Sequence, residues 1–310
     1  MSSDKNPVGH GALAIAYIIF GLNNPTMKSI LSDGTVSALA LAFFRVIGAT
    51  LLFWIVSVFA RKEKVSRHDL VLLIGASMSG IFLNQFSFAI GLSKTSPIDA
   101  SVITTISPIL TMLLAALFLR EPITWQKAAG VFIGALGALL LILNNNAVTR
   151  GGSSFVGILL CILSSLSFVI YLTVFKNLIM RYKALTLMKW MFLYSAIFSL
   201  PLCWHDVSII DYKILPIKTW LEILYVVVFA TFISYFLIPI GQKYLRPTIV
   251  SMYNYIQPIV SSIVAVAVGM DVFGWKKGLA TLLVFAGVYI VTQSKSRAQI
   301  EAASDVDACF

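Results

Sequence analysis

Long apolar runs, separated by short segments that hold most of the charge, are the feature that most constrains this chain. Charged residues make up 12% of the sequence and the mean hydropathy is +0.91, whereas soluble domains carry about 25% charged residues. A helix needs about 20 apolar residues to cross a bilayer. The chain therefore predicts an all-α integral membrane protein with ten transmembrane helices, surrounded by the lipid bilayer. The predicted spans are residues 10–31, 35–60, 69–91, 97–119, 123–143, 154–180, 185–204, 219–240, 247–268 and 273–293.

Residues 82–142 recur in the second half of the chain at a constant spacing of 150 residues, without a gap. Pro108 and Trp125, for example, fall on Pro258 and Trp275. A repeat of this size in an apolar chain indicates a duplicated membrane bundle. Because each half has an odd number of helices, the second half must cross the membrane in the opposite sense. The sequence predicts two inverted five-helix repeats at residues 10–143 and 154–294, a linker at 144–153, and tails at 1–9 and 295–310.

Positive charge predicts which side each loop faces. With both termini inside, the inner loops and tails hold 14 Lys and Arg residues and the outer loops hold seven. Cytoplasmic loops carry such an excess, so we expect both termini in the cytoplasm. The same loops explain the net charge of +10, and no nucleic-acid partner is expected. The cysteines lack the spacing of a metal site, and no metal or cofactor is expected.

Short motifs follow a fixed order in the two halves. The first half carries Phe20-Gly21-Leu22-Asn23-Asn24, then Arg45, Ser107-Pro108, Leu119-Arg120-Glu121 and Gly130. The second half keeps Pro258, but has Asp271 at the position of the glutamate and Ala280 at that of the glycine. With ten spans in two halves, this set resembles the EamA-like family of the drug/metabolite transporter superfamily, over residues 10–294. Phe20 replaces the tryptophan usual in that family.

The resemblance implies a ten-helix transporter of the cell membrane. Helices 1–4 and 6–9 would surround a central cavity, and helices 5 and 10 would support them. Members of this family move amino acids and other small metabolites, often outward.

Arg45 is the most informative charged side chain. It lies well inside the second predicted span, where an arginine costs roughly 2.5–3.5 kcal/mol on insertion scales. A water-filled cavity, a carboxylate or helix-end carbonyls must therefore solvate it. Two interpretations stay open: an anchor for an anionic or carboxylate group of the substrate, and a structural arginine that fixes helix 2 to its neighbours.

Uncharged polar residues cluster in corresponding helices of the two halves. An amide in hydrocarbon needs a hydrogen-bond partner, so these residues are expected to face the interior. Any one of them could join two helices, but so many on the same helices favour a polar cavity. Together with Arg45, the candidate substrate-binding residues are Asn23, Asn24, Asn84, Gln85, Thr104, Ser107, Tyr171, Ser234, Tyr235, Tyr253, Asn254 and Gln257.

Pro108 and Pro258 fall in the middle of spans 4 and 9. A proline there removes a backbone hydrogen bond and can kink the helix, so we expect paired hinges for a rocking motion, with packed kinks as the alternative. Gly130, Gly134 and Gly137 give helix 5 a small face for close packing, within a monomer or across a homodimer.

Glu121 and Asp271 lie at the ends of spans 4 and 9, where capping or interfacial solvation is the simple interpretation. Since no carboxylate lies in the middle of a span, a proton relay has no obvious candidate, which favours uniport or exchange.

These features predict a secondary transporter, an exporter or exchanger, that moves a small polar metabolite such as an amino acid by alternating access around a central cavity. The chain has no nucleotide-binding P-loop sequence. A multidrug exporter of lipophilic compounds is the variant that aromatic residues in the cavity would favour. An intramembrane enzyme is a weaker alternative, because the histidines lie at helix ends or in loops. A non-transporting scaffold is weaker too, because it would need neither a polar interior nor prolines in the middle of spans.

Overall fold

The computed structural model describes residues 6–95, 100, 103–143, 154–267 and 275–294. The predicted linker at 144–153, Asp271 and the tail from Lys295 lie outside the described residues. Within those residues the secondary structure is helical, without a strand. The helices are α1 (Pro7–Ser32), α2 (Ala38–Phe59), α3 (Arg67–Lys94), α4 (Ser107–Leu119), α5 (Trp125–Leu143), α6 (Phe155–Val174), α7 (Ala184–Ser208), α8 (Ile217–Tyr244), α9 (Ile256–Ala267) and α10 (Trp275–Gln293).

Shorter helical segments complete this order. The helix Lys176–Arg181 follows α6, and the helix Pro247–Met252 leads through a 3₁₀ turn at Tyr253–Tyr255 into α9. In the described residues, α2, α3, α6, α7 and α8 are long and apolar enough to cross a membrane, and Ser107–Leu119 and Gly278–Gln293 are shorter apolar segments. Because a helix satisfies its own backbone hydrogen bonds, such segments suit a multi-pass membrane protein.

Packing between helices joins the two halves. α1 packs against α8 and α9, and α6 packs against α3 and α4. α2 packs against α7, and α5 packs against α10. When the two halves are exchanged, the contacts of α1 correspond to those of α6, and the pairs α2–α7 and α5–α10 correspond to themselves. Small residues permit the close approaches: a Cβ on Gly91 would lie 2.6 Å from Cys161, and one on Gly241 would lie 2.5 Å from Leu13.

Two π-helical turns interrupt the long helices of the halves at the same place. One spans Met78–Leu83 within α3, and the other spans Val228–Ile233 within α8, so that their bounds differ by 150 residues. A π turn bonds each residue to the fifth one along and so shifts the register of the helix beyond the turn. Asn84 and Ser234 are the first residues after the two turns.

The two prolines lie directly beyond breaks in their helices. Pro108 is the second residue of α4 and follows a turn at Thr105 and Ile106, which interrupts predicted span 4 just before the proline. Pro258 is the third residue of α9 and comes after the 3₁₀ turn. Proline suits a first helical turn, where its missing N–H would have no intrahelical partner.

The glycine face of α5 packs within one chain. A Cβ on Gly130 would lie 2.9 Å from the carbonyl oxygen of Gly287 in α10, and one on Gly137 would lie 2.7 Å from that of Ala280. At Gly130 and Gly137 the face is therefore covered by α10 of the same chain.

Glu121 is buried, so its predicted solvation at the interface is wrong. Arg120 takes a left-handed conformation (φ 52°) at the end of α4 and turns the chain so that Glu121 is only 8% exposed. Its carboxylate accepts hydrogen bonds from Lys127 Nζ at 2.8 Å and from Lys176 Nζ at 3.4 Å. Lys127 is fully buried and needs this counter-charge. The position of Glu121 at the end of a predicted span does not reveal this buried partner.

Candidate functional site

A polar cavity lies among helices of both halves. It is enclosed by α1, α2, α3, α4, α6, α8 and α9 and by the 3₁₀ turn that precedes α9. Ten of the candidate residues line it: Asn23, Asn24, Arg45, Asn84, Gln85, Thr104, Ser107, Tyr235, Asn254 and Gln257. The breaks before Pro108 and Pro258 therefore lie at the cavity wall, where irregular backbone at membrane depth is tolerated.

Arg45 is held from one side by a hydroxyl. The residue is 4% exposed, and its Nε donates to Thr231 Oγ1 at 3.0 Å. Thr231 belongs to the π turn of α8, and its hydroxyl in turn donates to the carbonyl of Val226 at 2.8 Å. Arg45 Nη1 lies 3.5 Å from the sulfur of Met27, which is a weak acceptor. In the described part of the chain, no Asp or Glu forms an ion pair with Arg45.

Hydrogen bonds around Asn84 join three helices at the cavity wall. Asn84 Nδ2 donates to the carbonyl and to the hydroxyl of Ser164 in α6, each at 3.1 Å. The Ser164 hydroxyl donates back to the Asn84 carbonyl at 2.8 Å, and the Tyr235 hydroxyl donates to Asn84 Oδ1 at 2.9 Å. This network fixes the orientation of Asn84 between the two halves.

A second network lies where α1 meets α9. Asn24 Nδ2 donates to Gln257 Oε1 at 3.4 Å, and Gln257 Nε2 donates to Asn254 Oδ1 at 2.9 Å. Nearby, Asn23 Oδ1 and the Tyr17 hydroxyl are buried and have no hydrogen-bond partner within the described residues. Burying a polar atom without a partner costs free energy, so these two atoms are suited to bind a ligand.

Three of the candidate residues do not line the cavity, and each has another partner. Tyr171 packs its ring close to Gly80, and its hydroxyl donates to Gln242 Oε1 at 3.1 Å. The hydroxyl of Ser234 donates to the carbonyls of Phe229 and Ala16. Tyr253 bonds through its hydroxyl to His10 Nδ1 near the start of α1.

Six lining residues were not among the candidates: Tyr17, Phe20, Phe88, Ser164, Ser165 and Phe168. A spacing of 148 residues between the first helices of the two halves would have aligned Phe20 with Phe168 and Tyr17 with Ser165. Hydropathy does not distinguish cavity-lining residues of these types from others, because aromatic side chains and helix serines are also common where a helix faces lipid or packs against another helix.

The chemistry of the cavity is that of binding. It has about 90 Å³ open to the centres of water molecules, several times what one water needs. Among the described lining residues, Arg45 carries the only charge, and the rest are amides, hydroxyls and aromatic rings. Such a set can orient a polar ligand but offers neither a paired acid and base nor a set of metal ligands.

The fold and the cavity define a multi-pass helical membrane protein with a polar cavity enclosed by both halves of the chain. The chain belongs to the EamA-like transporter family, whose model matches residues 8–143 and 155–293. The resemblance inferred from the motifs is thereby confirmed, and it points to a transporter rather than to an enzyme.

Several curated relatives that are named as transporters match this chain at low identity. The uncharacterized transporter YetK of Bacillus subtilis is 21% identical over 75% of this chain and 71% of its own length. The S-adenosylmethionine uptake transporter of Rickettsia bellii is 23% identical over 92% of this chain and 95% of its own length. An uncharacterized transporter of Archaeoglobus fulgidus is 30% identical over 56% of this chain and 60% of its own length.

A crystal structure shares the fold. Its TM-score is 0.71, with 17% sequence identity, and the likeness covers 92% of this chain and 95% of that chain.

Proposed function

We propose that the chain is a secondary transporter that carries a small polar metabolite, such as an amino acid, through the central cavity by alternating access. The observation that carries this proposal is the convergence of ten sequence-separated polar residues on one cavity enclosed by both halves. Buried polar atoms without partners, on Asn23 and Tyr17, supply further sites for a ligand.

The proposed architecture is a pair of inverted five-helix repeats comprising ten membrane spans. The π turns at equal positions and the exchanged helix contacts between the halves support it. In this arrangement the halves would rock about the cavity and expose it to each side in turn. Single cysteines placed in the connections between helices test this topology. With both termini inside, cysteines in successive connections should react with a membrane-impermeant reagent from alternate sides of the membrane. Labelling of every connection from one side alone would contradict the topology.

The hinge roles of Pro108 and Pro258 are part of the same proposal. Both prolines come after a helix break at the cavity wall, which supports bending at these points. Pro108→Ala should slow exchange by letting the helix extend into the break. Unchanged transport together with unchanged cysteine accessibility would make the prolines packing features only.

Counterflow in proteoliposomes tests the proposal. Vesicles containing the full chain and loaded with an amino-acid mixture should accumulate a radiolabelled member of that mixture, and Arg45→Ala should abolish the accumulation. Circular dichroism and a monodisperse elution profile control for folding of the variant. S-adenosylmethionine is a second substrate to test, because two relatives carry that name. Absence of counterflow across amino acids, S-adenosylmethionine and lipophilic compounds would contradict the proposal.

Export of lipophilic compounds is the second candidate function. Five aromatic residues line the cavity, namely Tyr17, Phe20, Phe88, Phe168 and Tyr235. Such walls can take a planar apolar body without specific hydrogen bonds. Counterflow of amino acids that lipophilic dyes do not inhibit would count against this second function.

A further inference from the structure

The cavity has an unbalanced charge. Arg45 is the one charged lining residue in the described ranges, and no carboxylate there lies beside it. The described acidic residues of the membrane helices lie near helix ends, as Asp69 does in α3 and Glu222 does in α8. A guanidinium remains charged at every physiological pH, so the cavity carries a fixed positive charge at low dielectric.

The guanidinium is positioned but not saturated. Nε is held by Thr231, and Nη1 has only a thioether sulfur near it, at 3.5 Å. A guanidinium offers five N–H donors in a planar fork, so most of them are left for another acceptor. A carboxylate matches this fork with two parallel hydrogen bonds. An ammonium group would instead be repelled.

Aromatic rings form the apolar walls beside this charge. Phe20 and Phe88 line the cavity from the first half, and Phe168 lines it from the second. Phe20 is fixed by edge-on contacts with Tyr17 and Tyr235, with centroids 5.7 and 6.0 Å away. Rings held in this way make a preformed surface for a compact aromatic or apolar body.

We propose that the cavity selects its substrate by net charge: it accepts compact organic anions with one carboxylate and an apolar or aromatic body, and it rejects lipophilic cations. This inference rests on the proposed transport function and narrows its substrate class. A zwitterion keeps the carboxylate but brings an ammonium group toward Arg45. It should therefore bind between the two extremes.

Three probes that share one aromatic body and differ in their charged groups test the inference. 3-Phenylpropionate, phenylalanine and phenethylamine share one aromatic body and carry the carboxylate, both groups or the ammonium alone. Calorimetric titration of the full chain in lipid nanodiscs should give the tightest binding for 3-phenylpropionate. Phenethylamine should bind at least about tenfold more weakly, because like charges repel strongly at low dielectric.

Matched variants separate charge from folding. Arg45→Gln should remove the preference for the anion, and Arg45→Lys should retain it at reduced affinity, since a lysine keeps the charge but loses the fork. Lys189→Gln removes a charge from α7 outside the cavity lining and should leave the order of affinities unchanged. A preference that survives in Arg45→Gln would overturn the inference. Equal binding of phenethylamine and 3-phenylpropionate, or no binding of 3-phenylpropionate at millimolar concentration, would overturn it too.

Flux measurements distinguish this inference from the transport proposal. Charge-selective binding without flux of 3-phenylpropionate through proteoliposomes would leave the selectivity standing and contradict transport. Flux of all three probes at equal rates would leave transport standing and overturn the selectivity.

Discussion

Thr231 gives Arg45 its orientation, because its hydroxyl is the one oxygen that accepts from the arginine among the described residues. Thr231→Val keeps the side-chain shape and removes this acceptor. Without this acceptor the guanidinium must be ordered when the ligand binds, at a cost of about 0.5–1.5 kcal/mol, so the affinity for 3-phenylpropionate should fall by up to about tenfold. Calorimetric titration of the variant measures this loss.

Thr173→Val is the matched control for that prediction. Thr173 is fully buried in α6, and its hydroxyl donates to the Val169 carbonyl of its own helix rather than to a cavity residue. Its replacement should leave the affinity unchanged. An equal loss of affinity in both variants would show that buried threonines act through the packing of the helices rather than through Arg45.

For individual residues, the sequence predicts which amides and charged side chains line the cavity better than it predicts which hydroxyls and aromatic rings do. Asn23, Asn84 and Gln257 could be predicted to face the cavity, because an amide in hydrocarbon has no other good environment. Ser164 could not, because a helix serine can bond a carbonyl of its own helix and so be satisfied anywhere. Tyr171 lies outside the lining, because a tyrosine hydroxyl needs only one partner and Gln242 supplies it.

Among the helices, the contact of α5 with α10 depends on glycine. A Cβ on Gly287 would lie 2.6 Å from both the Gly130 carbonyl oxygen and the Gly134 backbone nitrogen. Because both atoms belong to backbone, Gly287→Ala should force the helices apart and destabilise the protein by about 1–3 kcal/mol. Thermal unfolding in detergent measures this. Gly11→Ala is the control, since nothing lies within 4 Å of a Cβ there; equal midpoints for the two variants would contradict the prediction.

The sequence predicts where helices occur better than how they are interrupted. Each predicted span overlaps a helix of the described residues, because the length of an apolar run is enough to predict that a helix lies there. The π turns could not be predicted, since Met78–Leu83 and Val228–Ile233 contain no proline and are as apolar as their surroundings. The prolines marked the breaks in spans 4 and 9, but the breaks begin several residues before them.

Across the whole molecule, a buried ion-pair network joins the two halves. Glu121 bonds Lys127 within the first half and Lys176, which begins the short helix after α6, in the second. Glu121→Gln would leave the fully buried Lys127 without a counter-charge, so the protein should lose about 3–5 kcal/mol of stability. Thermal unfolding again measures the loss. Adding Lys127→Met should recover much of it; no recovery would mean that the network contributes through something other than charge.

The same network predicts the direction of a pH effect. Burial alone would raise the pKa of Glu121, but Lys127 and Lys176 outweigh it and lower the pKa below its ordinary value of 4.5. A lowered folded-state pKa stabilises the protein above that ordinary value, and the contribution is lost as the pH falls through the folded pKa. The unfolding midpoint of the wild type should therefore decrease below about pH 4.5 more than that of Glu121→Gln. Parallel decreases in the two proteins would contradict this assignment.

The paired π turns also bear on the history of the molecule. Each holds one residue more than an ordinary helical turn would, and each directly precedes residues of the cavity wall or its network. If the two halves descend from one gene segment, the simplest order of events places that extra residue in the ancestor, before the segment was copied. The ancestor, paired with an inverted second copy of itself, would then already have enclosed a cavity with a π turn on each side. On this view, later divergence introduced the differences between the halves, such as the single arginine of α2.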